Sequence, residues 1–269
     1  MRNDVDSMWT APMLEKLIPM HRLALLPDRW VLSPAGGKAQ LVAEFDANAY
    51  DVAAVLLALE GLLGRHAVKG RLRVTLSHHQ VRLFLADAPP VWLQRDEMQA
   101  WLANALAPAL AEADQAHGWR LTWDLTPPGK PIVVAALPES VLLGIETVCR
   151  QHGVKLVGVR PWLAEAWQRR QRQLGRSSGW YAVLEPGRQV LLRLQGGQVT
   201  ALRQRQSGAD AGAELDALLT REALLADLPA GGDLWLERAG VKPDLSGLAG
   251  RYNVHELAGP LELAQALLS

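Results

Sequence analysis

The sequence predicts an α/β fold of two lobes, each opening on a three-stranded meander, with an extra βαββαβ unit inserted in the first. Three observations carry this. In Tyr181–Gln204, YAVLEPGRQVLLRLQGGQVTALRQ, the apolar runs Ala182–Leu184, Val190–Leu194 and Val199–Leu202 are broken by Pro186-Gly187 and Gly196-Gly197, both turn dipeptides. The same design stands near the start in Ala24–Leu41, ALLPDRWVLSPAGGKAQL. Pro27-Asp28-Arg29-Trp30-Val31-Leu32 sets over Pro186-Gly187-Arg188-Gln189-Val190-Leu191, and a Gly-Gly turn follows each. Between Val81 and Val159 the patterns run strand, helix, strand, strand, helix, strand, the split βαβ or ferredoxin-like order. An internal duplication accounts for the two meanders; the plainer alternative is two unrelated hairpins.

Taken in order, residues 1–20 form a leader in which Met8, Trp9, Met13, Leu17 and Ile18 make one apolar helical stripe. Strands follow at about 22–26, 29–33 and 39–45. A helix over about Ala49–Leu63 carries Val52, Val55, Leu56, Leu59, Leu62 and Leu63 at helical spacing, with Gly64 as its stop. Leu72–Leu76 and Val81–Leu85 are strands around Ser77-His78-His79. Gln94–His117 is helical, with Pro108 inside it. Trp119–Leu125 and Ile132–Leu137 are strands. Pro138-Glu139-Ser140 opens a helix that Gly153 closes. Val154–Val159 is a strand, and Pro161 opens a helix to about Leu174. Ser177-Ser178-Gly179 is the join. The expected organisation is therefore a leader at 1–20, a first lobe at 21–176 with its insertion at about 80–160, and a shortened second lobe at 177–269. After its meander, that lobe has a helix over Ala213–Leu225, short strands at Leu234–Leu236 and Tyr252–Val254, and a last helix at Leu261–Leu268.

Composition narrows the function. The 269 residues carry 28 basic and 28 acidic side chains, a balance unlike that of a nucleic-acid-binding domain. Trp167–Arg176 holds four arginines and reads as a solvated helix end. Cys149 is the only cysteine, so the chain has no internal disulfide, and its place on an amphipathic helix makes it a buried thiol rather than a nucleophile. No apolar run approaches the roughly 18–20 residues of a membrane span, and the N-terminus lacks the apolar core of a signal peptide, so a cytoplasmic protein is expected. No P-loop, dinucleotide fingerprint, metalloprotease or nucleophile-elbow motif is present. His78 and His79 are neighbours in an extended stretch and point to opposite faces, so no metal site is expected there. The ten tryptophans are expected mostly in the core, with one or two lining a groove for a partner.

The duplicated plan resembles the actin-like ATPase superfamily. Three stretches look like the PilM group and the cytoplasmic part of GspL, proteins of type IV pilus and type II secretion assembly. They are Leu72–Leu85 (LRVTLSHHQVRLFL), Gly153–Trp162 (GVKLVGVRPW) and the Glu185-Pro186-Gly187-Arg188 meander with Gly196-Gly197. The resemblance implies actin-like, RNase H-like lobes and a non-catalytic scaffold at the cytoplasmic side of the inner membrane. It would bind a short cytosolic tail of an inner-membrane partner and communicate with an assembly ATPase; a homodimer is also compatible, and nucleic acid is not an expected partner. The alternative is a nucleotide-binding ATPase or kinase-like enzyme, since some relatives hold ATP between their lobes.

In that superfamily each meander turn is a phosphate loop, where free backbone amides approach the anion. Here the first turn, Leu26-Pro27-Asp28-Arg29, has no glycine, and Pro27 has no N–H to donate. The second places Glu185 near the expected acid, but Pro186 again removes a donor. Asp28, Glu185 and Gly187 are thus the cofactor-binding candidates if nucleotide, or Mg²⁺ held through water, is bound at all; the expectation is no cofactor and no catalytic residue. Arg82, Trp92 and Trp162 are the candidates for partner contact.

Overall fold

The computed structural model describes residues 19–35, 37, 40–44, 52–66, 68–111, 118–124 and 127–257. The leader up to residue 18, the end of the helix expected over Gln94–His117 and the expected helix Leu261–Leu268 lie outside the described residues. In chain order the elements are β1 (His21–Leu25), β2 (Arg29–Ser33), β3 (Gln40–Glu44), α1 (Val52–Arg65), β4 (Gly70–Leu76), β5 (Arg82–Ala86), α2 (Arg95–Ala111), β6 (Trp119–Trp123), β7 (Ile132–Pro138), α3 (Glu139–Gln151), β8 (Val154–Pro161) and α4 (Trp162–Leu174). There follow β9 (Gly179–Glu185), β10 (Arg188–Gln195), β11 (Gln198–Gln206), α5 (Ala211–Leu225), β12 (Gly232–Arg238), α6 (Ser246–Ala249) and β13 (Tyr252–Leu257).

Two five-stranded sheets carry the lobes, ordered β3-β2-β1-β4-β8 and β11-β10-β9-β12-β13. The pairing directions also agree. Each meander is antiparallel, and each first strand then pairs parallel with the strand that returns after the helix. The central strands are buried along most of their length because both of their faces are covered. Leu72 to Leu76 on β4 and Trp180 to Glu185 on β9 are all buried. Even the strand ends correspond. Ser77 N–H donates to Leu25 O at 3.2 Å in the first lobe, and Ala239 N–H donates to Leu184 O at 2.8 Å in the second.

The insertion departs from the ferredoxin-like expectation in one respect. Its elements come in the expected order, but only β5, β7 and β6 share the small sheet, with α2 packed on it. The last strand, β8, pairs with β4 in the first lobe's sheet. The reason is packing. α3 buries Val141, Ile145 and Val148 in the first lobe's core beside α1, and so delivers β8 to the open edge of β4. Cys149 lies on that same helix, where burial and then the charge of Glu146 push its thiol up to about 11, so it stays protonated at neutral pH.

α4 joins the lobes. Its Leu163, Ala166 and Trp167 belong to a core shared with Tyr181, Leu192 and Trp235 of the second sheet. The Trp167 and Tyr181 ring centroids are 6.0 Å apart. Buried Glu237 on β12 receives Arg169 at 2.5 Å, Arg170 at 3.6 Å and the Tyr181 hydroxyl at 3.1 Å. A buried carboxylate needs such company, and here it fixes α4 to the second sheet. Among the described residues no helix is long and apolar enough to cross a membrane.

Candidate interlobe site

At the turn between β9 and β10 the lobes meet through a buried polar cluster. Glu185 ends β9 with its side chain fully buried at 0% exposure. Its Oε2 accepts from the Ser77 hydroxyl at 2.5 Å and from the His78 backbone N–H at 3.1 Å. His78 Nδ1 lies 3.1 Å from Oε1, close enough for an ion pair but off the line of a hydrogen bond. His79 N–H donates to the Ser77 Oγ at 3.1 Å, which locks the loop that follows β4.

Burial alone would raise the Glu185 pKa. The charge of the neighbouring His78 and the hydrogen bond from the Ser77 hydroxyl outweigh it and hold the carboxyl below its ordinary 4.5. The His79 ring covers the turn itself. It donates from Nε2 to Pro186 O at 2.7 Å, and burial keeps its pKa below the usual 6.5. Gly187 sits at φ +74°, and a Cβ there would stand 3.2 Å from His79 Cε1. The positive φ calls for glycine, and the imidazole fills the space above it.

One further side chain fastens this seam. The Gln204 amide on β11 donates to His78 O and Val81 O, both at 2.7 Å, and accepts from Leu83 N–H at 2.9 Å. The first lobe's turn makes the reciprocal crossing. Asp28 and Arg29 pair with each other through the guanidinium, over Gly240 just past β12. A Cβ on Gly240 would stand 2.9 Å from Arg29 and 3.3 Å from the Asp28 carboxylate. Each meander turn therefore rests on the segment that follows the fourth strand, β4 or β12, of the opposite lobe.

A protein from Bacteroides thetaiotaomicron VPI-5482, described as having an actin-like ATPase fold and unknown function, aligns over 96% of this chain and 98% of its own, with a TM-score of 0.61 at 10% identity. The chain has an actin-like ATPase fold. PilM of the PilM–PilN type IV pilus biogenesis complex aligns over 93% of this chain and 97% of its own, with a TM-score of 0.64 at 16% identity. The cytoplasmic domain of EpsL, an inner-membrane component of the type II secretion system of Vibrio cholerae, aligns over 94% and 96% with a TM-score of 0.47 at 15% identity. No protein-family model and no curated protein sequence matches the chain.

In this actin-like fold the residues singled out from sequence fall into separate places. Glu185 and Gly187 share the second turn, while Asp28 belongs to the reciprocal crossing with Arg29. Arg82 is exposed at the start of β5, between Val81 and Leu83, whose backbone groups the Gln204 amide clips. Trp92 is 70% exposed on the loop between β5 and α2. Trp162 is corrected. At 2% exposure it lies in the core at the start of α4, with Arg169 stacked 5.5 Å over its ring, so it is not a surface contact. Pro161 starts the helix and turns the indole inward onto the first sheet.

Sequence reasoning missed Ser77, His79, Gln204 and Gly240 as parts of the seam. For Ser77-His78-His79 a signal existed: a polar triplet directly after a central strand must find buried partners. Gln204 gave none, since a glutamine on a meander's outer strand reads as solvent-facing.

At the other end of β10 and β11, a cavity of about 160 Å³ opens between the β6–β7 loop, α4 and the β10–β11 hairpin. Val133, Leu163, Trp167, Leu192 and Val199 form its apolar wall, with Lys130 on the lining.

Proposed function

We propose that the chain is a non-catalytic scaffold of a type IV pilus or type II-like secretion assembly platform, cytoplasmic and peripheral to the inner membrane. It holds a short cytosolic segment of an inner-membrane partner. The observation that carries this reading is the filled second turn. A phosphate loop has to present free backbone amides to an anion. Here the acid of the turn is spent on Ser77 and His78, and the glycine lies under His79. A nucleotide in that place would have to displace three side chains of the opposite lobe. The likeness to PilM supports the same reading, because that protein's structure is of a complex with PilN.

The cavity beside Trp167 suits the partner segment. Its wall is apolar, and its edges come from the insertion, from α4 and from the second lobe. An extended segment with one apolar anchor would bury that side chain against Leu163 and Val199. Burying a leucine-sized group yields about 1.5–3 kcal/mol, which suits a micromolar contact built from several such anchors.

The test is calorimetric titration with synthetic cytosolic tails of the membrane proteins encoded beside this gene. One tail is expected to bind with micromolar affinity, and Val199→Arg to abolish the binding while the melting temperature holds. If no tail binds, or if Val199→Arg binds as well as the wild type, the reading fails.

A further inference from the structure

We propose that the seam between the insertion and the second lobe is a second docking groove, one that takes an extended acidic segment of a partner protein. β5 and β11 are the outer strands of their sheets, and they face each other. No strand ladder joins them among the described residues; the Gln204 amide stands in its place. Alongside it runs an open groove of about 410 Å³, lined by Arg82, Leu83, Phe84, Ala109, Leu202 and Arg203.

The charge on this groove has one sign. Arg82 is exposed, and no acidic side chain pairs with it among the described residues. Arg188, at the start of β10 and behind the groove's lining, is likewise without an ion pair among the described residues, and its Nε is buried with no acceptor. The two guanidiniums are near enough to feel each other. Burial, and then the charge of Arg82, hold Arg188 below its ordinary value. Glu185 is close to Arg188 but is committed to Ser77 and His78. Arg203 also lines the groove, but it is largely committed: its Nε donates to Glu222 at 2.9 Å and its Nη1 to Leu202 O at 2.9 Å.

Two like charges held together without a counter-ion repel each other, and a carboxylate placed between them removes that cost and gains charge-assisted, fork-shaped hydrogen bonds. Leu83, Phe84 and Leu202 add apolar surface to the same lining. The matching ligand is therefore a peptide in which acidic and apolar side chains alternate, as they do along an extended strand. That apolar surface and the chain's balanced charge favour such a peptide over nucleic acid, whose sites are broadly basic.

This groove is separate from the cavity at Trp167, and the proposal stands or falls apart from the function proposed above. The test is chemical-shift mapping of the isotope-labelled chain with a capped Glu-Leu-Glu-Val-Glu-Leu peptide, its Lys-Leu-Lys-Val-Lys-Leu counterpart and a single-stranded oligothymidine. Saturable shifts at Leu83, Phe84 and Leu202 are expected with the acidic peptide alone. Arg82→Glu should weaken them by about tenfold or more. Arg82→Gln should give a smaller loss, and Val199→Arg none. Shifts that are equal with the basic peptide, that appear only with oligothymidine, that map elsewhere, or that survive Arg82→Glu overturn the proposal, as does the absence of any shift.

Discussion

The two meander turns occupy equivalent places in their sheets, yet they meet the opposite lobe by different chemistry. At the second turn the contact is a buried carboxylate with three polar neighbours from the first lobe. At the first turn the same backbone position, one residue before the proline, is Leu26, which is simply apolar and buried. Its charged pair, Asp28 and Arg29, is partly exposed and leans on a glycine. The difference teaches that an interlobe contact can be wired in or merely rested. Opening the wired crossing breaks charge-assisted hydrogen bonds to a buried carboxylate, whereas the resting one separates without breaking any between the lobes.

That contrast can be broken most directly at Glu185. Glu185→Ala removes the acceptor and leaves Ser77 and His78 buried and unmatched, so a loss of about 3–5 kcal/mol is expected in urea unfolding. Gln204→Leu comes next. It removes three bonds to backbone groups at roughly 1 kcal/mol each, for about 2–3 kcal/mol in the same measurement. Gly187→Ala puts a Cβ on a left-handed residue against the His79 ring, and about 1–2 kcal/mol is expected. Asp28→Ala, at the resting crossing, should cost less than about 1 kcal/mol. If Asp28→Ala proves as costly as Glu185→Ala, the distinction between the crossings disappears.

Acidity gives the finest test. Glu185 and His79 both have folded pKa values below their ordinary ones, 4.5 and 6.5. Each therefore binds fewer protons folded than unfolded, and stability rises with pH. Their contribution is complete above pH 6.5. It begins to be lost as pH falls below 6.5, through His79, and again below 4.5, through Glu185. Comparing wild type with His79→Leu and with Glu185→Gln in urea at each pH should remove the first and the second decline, respectively.

Much of this fold is legible in the sequence because its turns are chemically marked. Pro186-Gly187 and Gly196-Gly197 fall at the two hairpins of the second meander, and Pro161 and Gly153 fall at helix ends. Strand partnership is not marked. Val154–Val159 reads as a strand, but nothing in its own pattern says that it pairs with β4 rather than with the insertion; the packing of α3 decides that. The site was half legible. Glu185 stands out as an acid at a turn, while the partners that occupy it lie 107 and 108 residues away. Trp162 misleads for a different reason. A tryptophan suits a core and a binding groove equally, and only the direction in which α4 leaves Pro161 separates the two.

The central claim is that the second lobe's turn is closed by side chains of the first lobe and does not receive phosphate. Isothermal titration of the purified chain with Mg-ATP tests it most directly. The account predicts no saturable heat at millimolar nucleotide, for the wild type and for Asp28→Ala alike. Micromolar binding by the wild type that Asp28→Ala destroys would contradict it.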